Sequence, residues 1–262
     1  MRSGTSLWMQ MLVASGLPYV GEPVPSHWCD QLRAQNPRGF YESELVAGVY
    51  YATNPHPTTG AFLSPSQTRR HAVKVFVPGL RKSDLAYLDR VIATVRPWRV
   101  VADSLGRMPA SSERAPLDIS PVLLWWSETY GLIRDIATRG YPAHVITYGR
   151  LLSDPRRELT EVFDWIGGGL DIDAAAACIE TQLNRSRPDS VLEKDLAPHQ
   201  LAIVDELYDR LERATPLDES FIAALNDLDH ELRPAFVAVQ RAIAVEALSQ
   251  VSPLIQPAPD LP

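Results

Sequence analysis

Three short apolar runs, at 72–77, 90–95 and 144–147, each give way at once to turn or helix-forming sequence. This alternation constrains the fold more than any other feature of the chain. Short, mainly apolar runs, here with Lys74 inside the first, are the pattern of strands buried on both faces, and strands alternating with helices pack as a parallel sheet covered on both sides. The expected class is therefore α/β, a parallel sheet flanked by helices. After Gly167-Gly168-Gly169 the periodicity becomes almost wholly helical to about residue 250, so the C-terminal part is expected to be helical and to complete a single domain over 1–250.

The remaining punctuation follows from Gly, Pro and polar clusters. A helix is expected over 6–15, stopped by Gly16. Residues 22–41 carry Pro23, Pro25 and Pro37 around a short helix at 26–34, and 43–52 read as helical. Segments 54–70 and 108–118 read as loops. A helix follows Arg96-Pro97 to about Arg107, and a long one covers 119–139, ended by Gly140. Tyr148 to about Ile166 is helical, with Asp154 as an N-cap and Pro155 in the first helical position. The proline-containing tail from Ser252 reads as disordered.

With 262 residues, 45% of them apolar, the chain is long enough to build a well-packed core. A net charge of −7 argues against a general nucleic-acid binder, although one local basic pocket is compatible with it. Two distant cysteines, Cys29 and Cys178, give neither a disulfide framework nor a metal-ligand spacing and suit a reducing, cytoplasmic setting. Arg2 with Leu7–Val13 has the outline of a signal peptide, but Gln10 interrupts the run and Ser3 to Ser6 are polar where it begins. No run reaches the roughly 20 apolar residues that span a bilayer, so no membrane association is expected.

Three strings carry chemistry. Met1-Arg2-Ser3-Gly4-Thr5-Ser6-Leu7 places a basic residue, a small hydroxyl-rich turn and a helix start in succession. Backbone N–H groups at such a turn face an oxyanion, and Gly4 allows its close approach. As a plain helix cap the same string needs no ligand. A Walker A loop would place Lys-Ser/Thr after the glycines, whereas the basic residue here precedes them. At 95–104 a strand ends in Arg96 and Ser104 lies two turns along the following helix, so the two can grip one phosphate; an ordinary strand–helix junction has the same look. At 145–155 a strand delivers Tyr148 and Arg150 to its C-terminal edge, where open α/β sheets bind ligands.

Taken together and in this order, the strings resemble the sulfotransferases that use 3′-phosphoadenosine 5′-phosphosulfate (PAPS). That family's 5′-phosphosulfate loop reads Pro-Lys/Arg-Ser-Gly-Thr-Ser/Thr, matched by Arg2 to Ser6 without the leading proline. Its 3′-phosphate site pairs a strand-end Arg with a Ser eight residues on, matched by Arg96 and Ser104. Tyr148, Leu151, Asp154 and Pro155 match a later element, and Asn36-Pro37-Arg38-Gly39-Phe40-Tyr41-Glu42 is similar to a segment of bacterial members. The resemblance covers residues 2 to about 168. It implies a P-loop-like sulfotransferase fold and transfer of a sulfuryl group from PAPS to a hydroxyl or amine of a small-molecule or glycan acceptor, without an obligatory metal. It places Arg2 at the bridging oxygen, and Ser3, Gly4, Thr5, Ser6 and Leu7 around the 5′-phosphate. Lys74 falls at the sulfuryl oxygens, Arg96 and Ser104 at the 3′-phosphate, and Tyr148 beside the nucleotide.

The departures are specific. Where many members carry Lys-x-His-x-Pro with His as base, this chain reads Lys74-Val75-Phe76-Val77-Pro78. A phenyl ring takes no proton, so a carboxylate is the next choice: Glu42, with Glu44, Asp30 and His27 as alternatives. Gly149 and Arg150 replace an acidic pair, and Arg185 and Arg187 are a weak substitute for a late basic loop. Of Trp125 and Trp126, one is expected in the core and the other is a candidate for lining the acceptor pocket. Trp8, Met9, Met11 and Leu12 are expected to pack against the sheet. The family places a short strand ending in Pro directly before the Arg, so the first strand is expected to be missing and Met1 to be a truncated or miscalled start. The rival readings are a sulfotransferase-like binder without turnover and, at greater distance, a metal-dependent small-molecule kinase.

Overall fold

A computed structural model describes residues 4–24, 36–106, 120–179 and 196–251. Helix α1 (Thr5–Ala14) leads into β1 (Tyr19–Val20), which pairs in parallel with β2 (Ala72–Val73). The single helical turn α2 (Val77–Leu80) follows. Strand β3 (Val91–Val95) then runs into α3 (Trp98–Gly106). The long α4 (Pro121–Arg139) precedes β4 (Ala143–Thr147), which pairs in parallel with β3 from Val91↔Ala143 to Val95↔Thr147. Helices α5 (Tyr148–Ser153), α6 (Pro155–Trp165), α7 (Ile172–Ala176), α8 (Pro198–Glu212) and α9 (Glu219–Val251) complete the described chain. The fold is α/β, with a small parallel sheet and helices on both faces. Among the described residues the sheet comes as two parallel pairs, β1–β2 and β3–β4, and no strand precedes α1. No helix among them is long and apolar enough to cross a membrane.

The period-2 alternation of β3 and β4 sorts their side chains onto two faces. Ile92 and Ile146 face a layer built from Trp8, Met9, Met11 and Leu12 of α1 and Leu159, Val162 and Phe163 of α6. Val95 and Val145 face the opposite layer, where α3 and α4 contribute Trp98, Val101, Trp125 and Trp126, and α8 and α9 contribute Val204, Leu207, Leu225 and Leu228. Helix α4 forms as its sequence dictates. Val122, Trp125, Trp126, Thr129 and Leu132 recur on one buried face, Pro121 opens it, and Gly140 closes it in the left-handed conformation with its N–H on Ile136 O. Both tryptophans are buried, and Trp126 stacks on Tyr130 with ring centroids 5.0 Å apart.

Three expectations change. The run at 72–77 is not one strand. Its ladder stops at Val73, because Phe76 N–H donates instead to Val46 O (3.0 Å) and Val77-Pro78 opens α2. Residues 43–52 do not form a helix. Only Glu44–Ala47 makes a 3₁₀ turn, and it lies so close to α2 that a Cβ on Gly79 would meet the backbone of Ala47 at 2.4 Å. Strand β1 has no counterpart in the expected elements: two residues are too few for periodicity to show. By contrast, Asp154 caps α6 by accepting from Arg157 N–H (3.2 Å) with Pro155 behind it, as the sequence indicates. The short helix expected at 26–34, the loop at 108–118 and the tail from Ser252 lie outside the described residues.

Candidate functional site

Because β3 and β4 are parallel and in register, their C-terminal ends coincide, and Arg96 and Tyr148 leave the sheet side by side. The Arg96 guanidinium stacks on the Tyr148 ring, with Cζ 3.5 Å from the centroid. Trp125 Nε1 of α4 donates to Arg96 O (2.6 Å), which fixes the strand end from the other layer. Gly4, the residue before α1, sits against this pair. A Cβ there would lie 3.3 Å from Tyr148 Cδ2 and 3.6 Å from Arg96 Nη2. Gly4 has φ +106°, a left-handed conformation that side chains resist, so both its backbone and its neighbours call for glycine.

The other strand pair meets the same turn. Lys74 follows β2 and is buried, its side chain 3% exposed. Its Nζ donates to Ser6 Oγ in the first turn of α1 (3.0 Å), to Phe40 O (3.0 Å) and to Glu42 Oε1 (2.5 Å). The ammonium also lies between two aromatic rings, 5.7 Å from the centroid of Phe40 and 5.6 Å from that of Phe76. Glu42 is held from its backbone: its N–H and C=O exchange hydrogen bonds with Glu22, in an antiparallel bridge. Tyr41 beside it adopts φ 54°, unusual for a bulky residue, with its ring packed edge-on against Tyr19 at 5.3 Å. Glu44 lies in the neighbouring 3₁₀ turn and is exposed.

Gln10 is the support that motif matching passes over. It is buried in the middle of α1, and its Nε2 donates to Asn36 Oδ1 (3.1 Å) and Gly39 O (3.0 Å). It thereby ties the helix to the 36–42 segment that carries Glu42. The signal for it is the polar interruption of an otherwise apolar run, since a buried amide must find partners. On the far side, Gly149 leaves room for Glu212 of α8, which accepts from Tyr208 Oη (2.8 Å). Burial, and then the Glu212 carboxylate, hold the Tyr208 phenol well above its usual range. A carboxylate thus stands over position 149 from another helix.

The structure therefore brings Gly4, Ser6, Glu42, Lys74, Arg96 and Tyr148 to one edge. Thr5 and Leu7 lie in the same first turn of α1, partly buried. Ser104 sits in the last turn of α3 and is buried. Arg2, Ser3, His27, Asp30, Cys29, Arg185 and Arg187 lie outside the described residues. Chemically, the edge offers a helix start, two cations and one carboxylate in contact with an ammonium. No protein-family model, curated protein or solved structure matches the chain.

Proposed function

We propose that the chain is a PAPS-dependent sulfotransferase with a P-loop-like fold, moving a sulfuryl group to a hydroxyl or amine. The observation that carries this reading is the convergence on one turn: the residues before and within the start of α1 touch Lys74 beyond β2 and the Arg96–Tyr148 stack beyond β3 and β4. These groups are far apart in sequence, and the family resemblance gives each a different part of the same donor. In this reading the α1 turn and Arg2 hold the 5′-phosphosulfate, Arg96 and Ser104 the 3′-phosphate, and Tyr148 the nucleotide.

The chemistry is an in-line displacement in which protein groups position the reactants and stabilise developing charge. Glu42 takes the proton of the acceptor as the acceptor oxygen or nitrogen bonds to sulfur. The bond between sulfur and the bridging oxygen breaks, and the electron pair leaves with 3′-phosphoadenosine 5′-phosphate (PAP). Protonation of Glu42 removes the charge that holds Lys74. The ammonium is thereby released toward the sulfuryl and bridging oxygens as they gain negative charge. One geometry thus serves the base and the electrophilic cation in sequence.

The test has two stages. PAP should raise the melting temperature without Mg²⁺, and Arg96→Ala should weaken PAP binding by about 10- to 100-fold, the range for a hydrogen bond to a charged group. Label from ³⁵S-PAPS should then appear on a member of an acceptor panel, and Glu42→Gln should lower that rate by about 10²-fold or more while leaving PAP affinity in place. Absence of any PAP-induced shift refutes the nucleotide reading. A second reading, a binder without turnover, is favoured by Phe76 at the position where a histidine base is expected; PAP stabilisation with no label transfer would select it. ATP stabilisation that needs Mg²⁺ would select the kinase.

A further inference from the structure

At the opposite end of β4 three ligating side chains meet that sulfuryl transfer does not use. His144 is the second residue of β4, and Glu158 and Glu161 lie one turn apart on α6. One ring nitrogen and one oxygen from each carboxylate all lie within 4.8 Å of one another. His144 is half-buried against Trp165, with ring centroids 5.6 Å apart. Glu158 is 3% exposed. Its Oε1 accepts from Arg150 Nε (3.0 Å) and Nη2 (2.8 Å), whereas its Oε2 is buried with no hydrogen-bond partner. A buried carboxylate oxygen left without a donor is costly and calls for an explanation.

Arg150 supplies one positive charge to two carboxylates, and its Nη2 stands 3.9 Å from Glu161 Oε2. Arg157 adds a bond to Glu161 Oε1 (2.9 Å) from the exposed side. Neither arginine reaches Glu158 Oε2. Nor does the His144 ring donate to it, so an ion held between the ring nitrogen and the two carboxylates would supply the missing partner. We infer that His144, Glu158 and Glu161 bind one divalent transition-metal ion of the zinc class, which bridges α6 and β4. Imidazole and carboxylates are the donor set such ions take. Ligand bonds of about 2.0–2.2 Å require the three atoms to close by at most about 1.5 Å. Three protein ligands leave one position of a tetrahedral ion to water. The site is separate from the nucleotide edge, because four residues of strand, about 13 Å, lie between His144 and Tyr148. The inference does not rest on the nucleotide reading.

Arg150 shares the anionic pocket and competes with the ion, which makes the test specific. The full chain, stripped with a chelator, is titrated with ZnCl₂ by calorimetry and with Co²⁺ by visible absorption. One ion per chain is expected, with the absorption bands of a Co²⁺ site containing nitrogen. Affinity should fall about tenfold or more in His144→Phe and in Glu161→Gln. It should rise about tenfold or more in Arg150→Gln, where a unit charge beside a divalent ion is removed. Zn²⁺ should also restore the melting temperature that Arg150→Gln loses. Glu161 is exposed, so its variant folds even where the others do not. Absence of Zn²⁺ and Co²⁺ binding, or binding unchanged in Glu161→Gln, overturns the inference.

Discussion

An ammonium group offers three N–H donors, and Lys74 directs them at Ser6, Phe40 O and Glu42, so no other residue type can occupy its place without breaking the cluster. Lys74→Met should therefore cost about 2–4 kcal/mol by chemical denaturation. That is somewhat below a fully buried broken pair, because Glu42 keeps 16% of its side chain in water. Adding Glu42→Gln should recover part of this loss, since the second change removes the stranded charge; strictly additive losses would show that the two do not interact. Gly4→Ala should cost about 1–2 kcal/mol for the left-handed backbone alone, with PAP binding weakened as well. Lys74 and Glu42 each stand in a short string of the sequence, although nothing in either string says that they form a pair. Gln10 was visible only as an interruption, because its partners at Asn36 and Gly39 are a property of the packed chain.

At the scale of elements, legibility follows length and capping. Helix α4 and helix α6 carry several turns of periodicity and chemical stops at both ends, so local sequence is enough to place them. The 72–77 run and the 43–52 segment are shorter, and each is decided by the other. The Phe76–Val46 hydrogen bond and the close approach of Gly79 to Ala47 end the strand and confine the helix to one 3₁₀ turn. Helix α9 gives a prediction of its own. Asp218 Oδ1 accepts from Ser220 Oγ (2.6 Å) and from Phe221 N–H (2.9 Å), and Oδ2 accepts from Arg210 Nη1 (2.6 Å). The Ser220 hydroxyl first, then Arg210 and the Phe221 N–H, hold this carboxyl well below its usual range. Its folded-state value lies under the unfolded one, so its contribution is present above about pH 4 and is lost as pH falls further. Denaturation between about pH 4 and pH 2 should show a stability loss that is shallower in Asp218→Asn; equal slopes would remove Asp218 from the acid response.

At the scale of the molecule, the two strand pairs share one layer of helices, and α1 presents its start to the C-terminal ends of both. A ligand gripped at that edge links the pairs. PAP at about 100 times its dissociation constant should add about 2.7 kcal/mol to the stability of the folded state. For a chain of this size that is a rise in melting temperature of roughly 5–10 °C, measured without Mg²⁺. The rise should shrink in Arg96→Ala. The amino-acid sequence by itself determined the α/β class, the stops of the long helices, and the core positions Trp8, Met9, Met11 and Leu12. Each of these depends on periodicity or on chemistry within a few residues. Only the tertiary structure decided that Lys74 closes on Glu42 and Ser6, that Arg96 stacks on Tyr148 beside Gly4, and that His144 meets Glu158 and Glu161. The register of parallel strands and the packing of helices across them set those meetings, and no local stretch of chain encodes either.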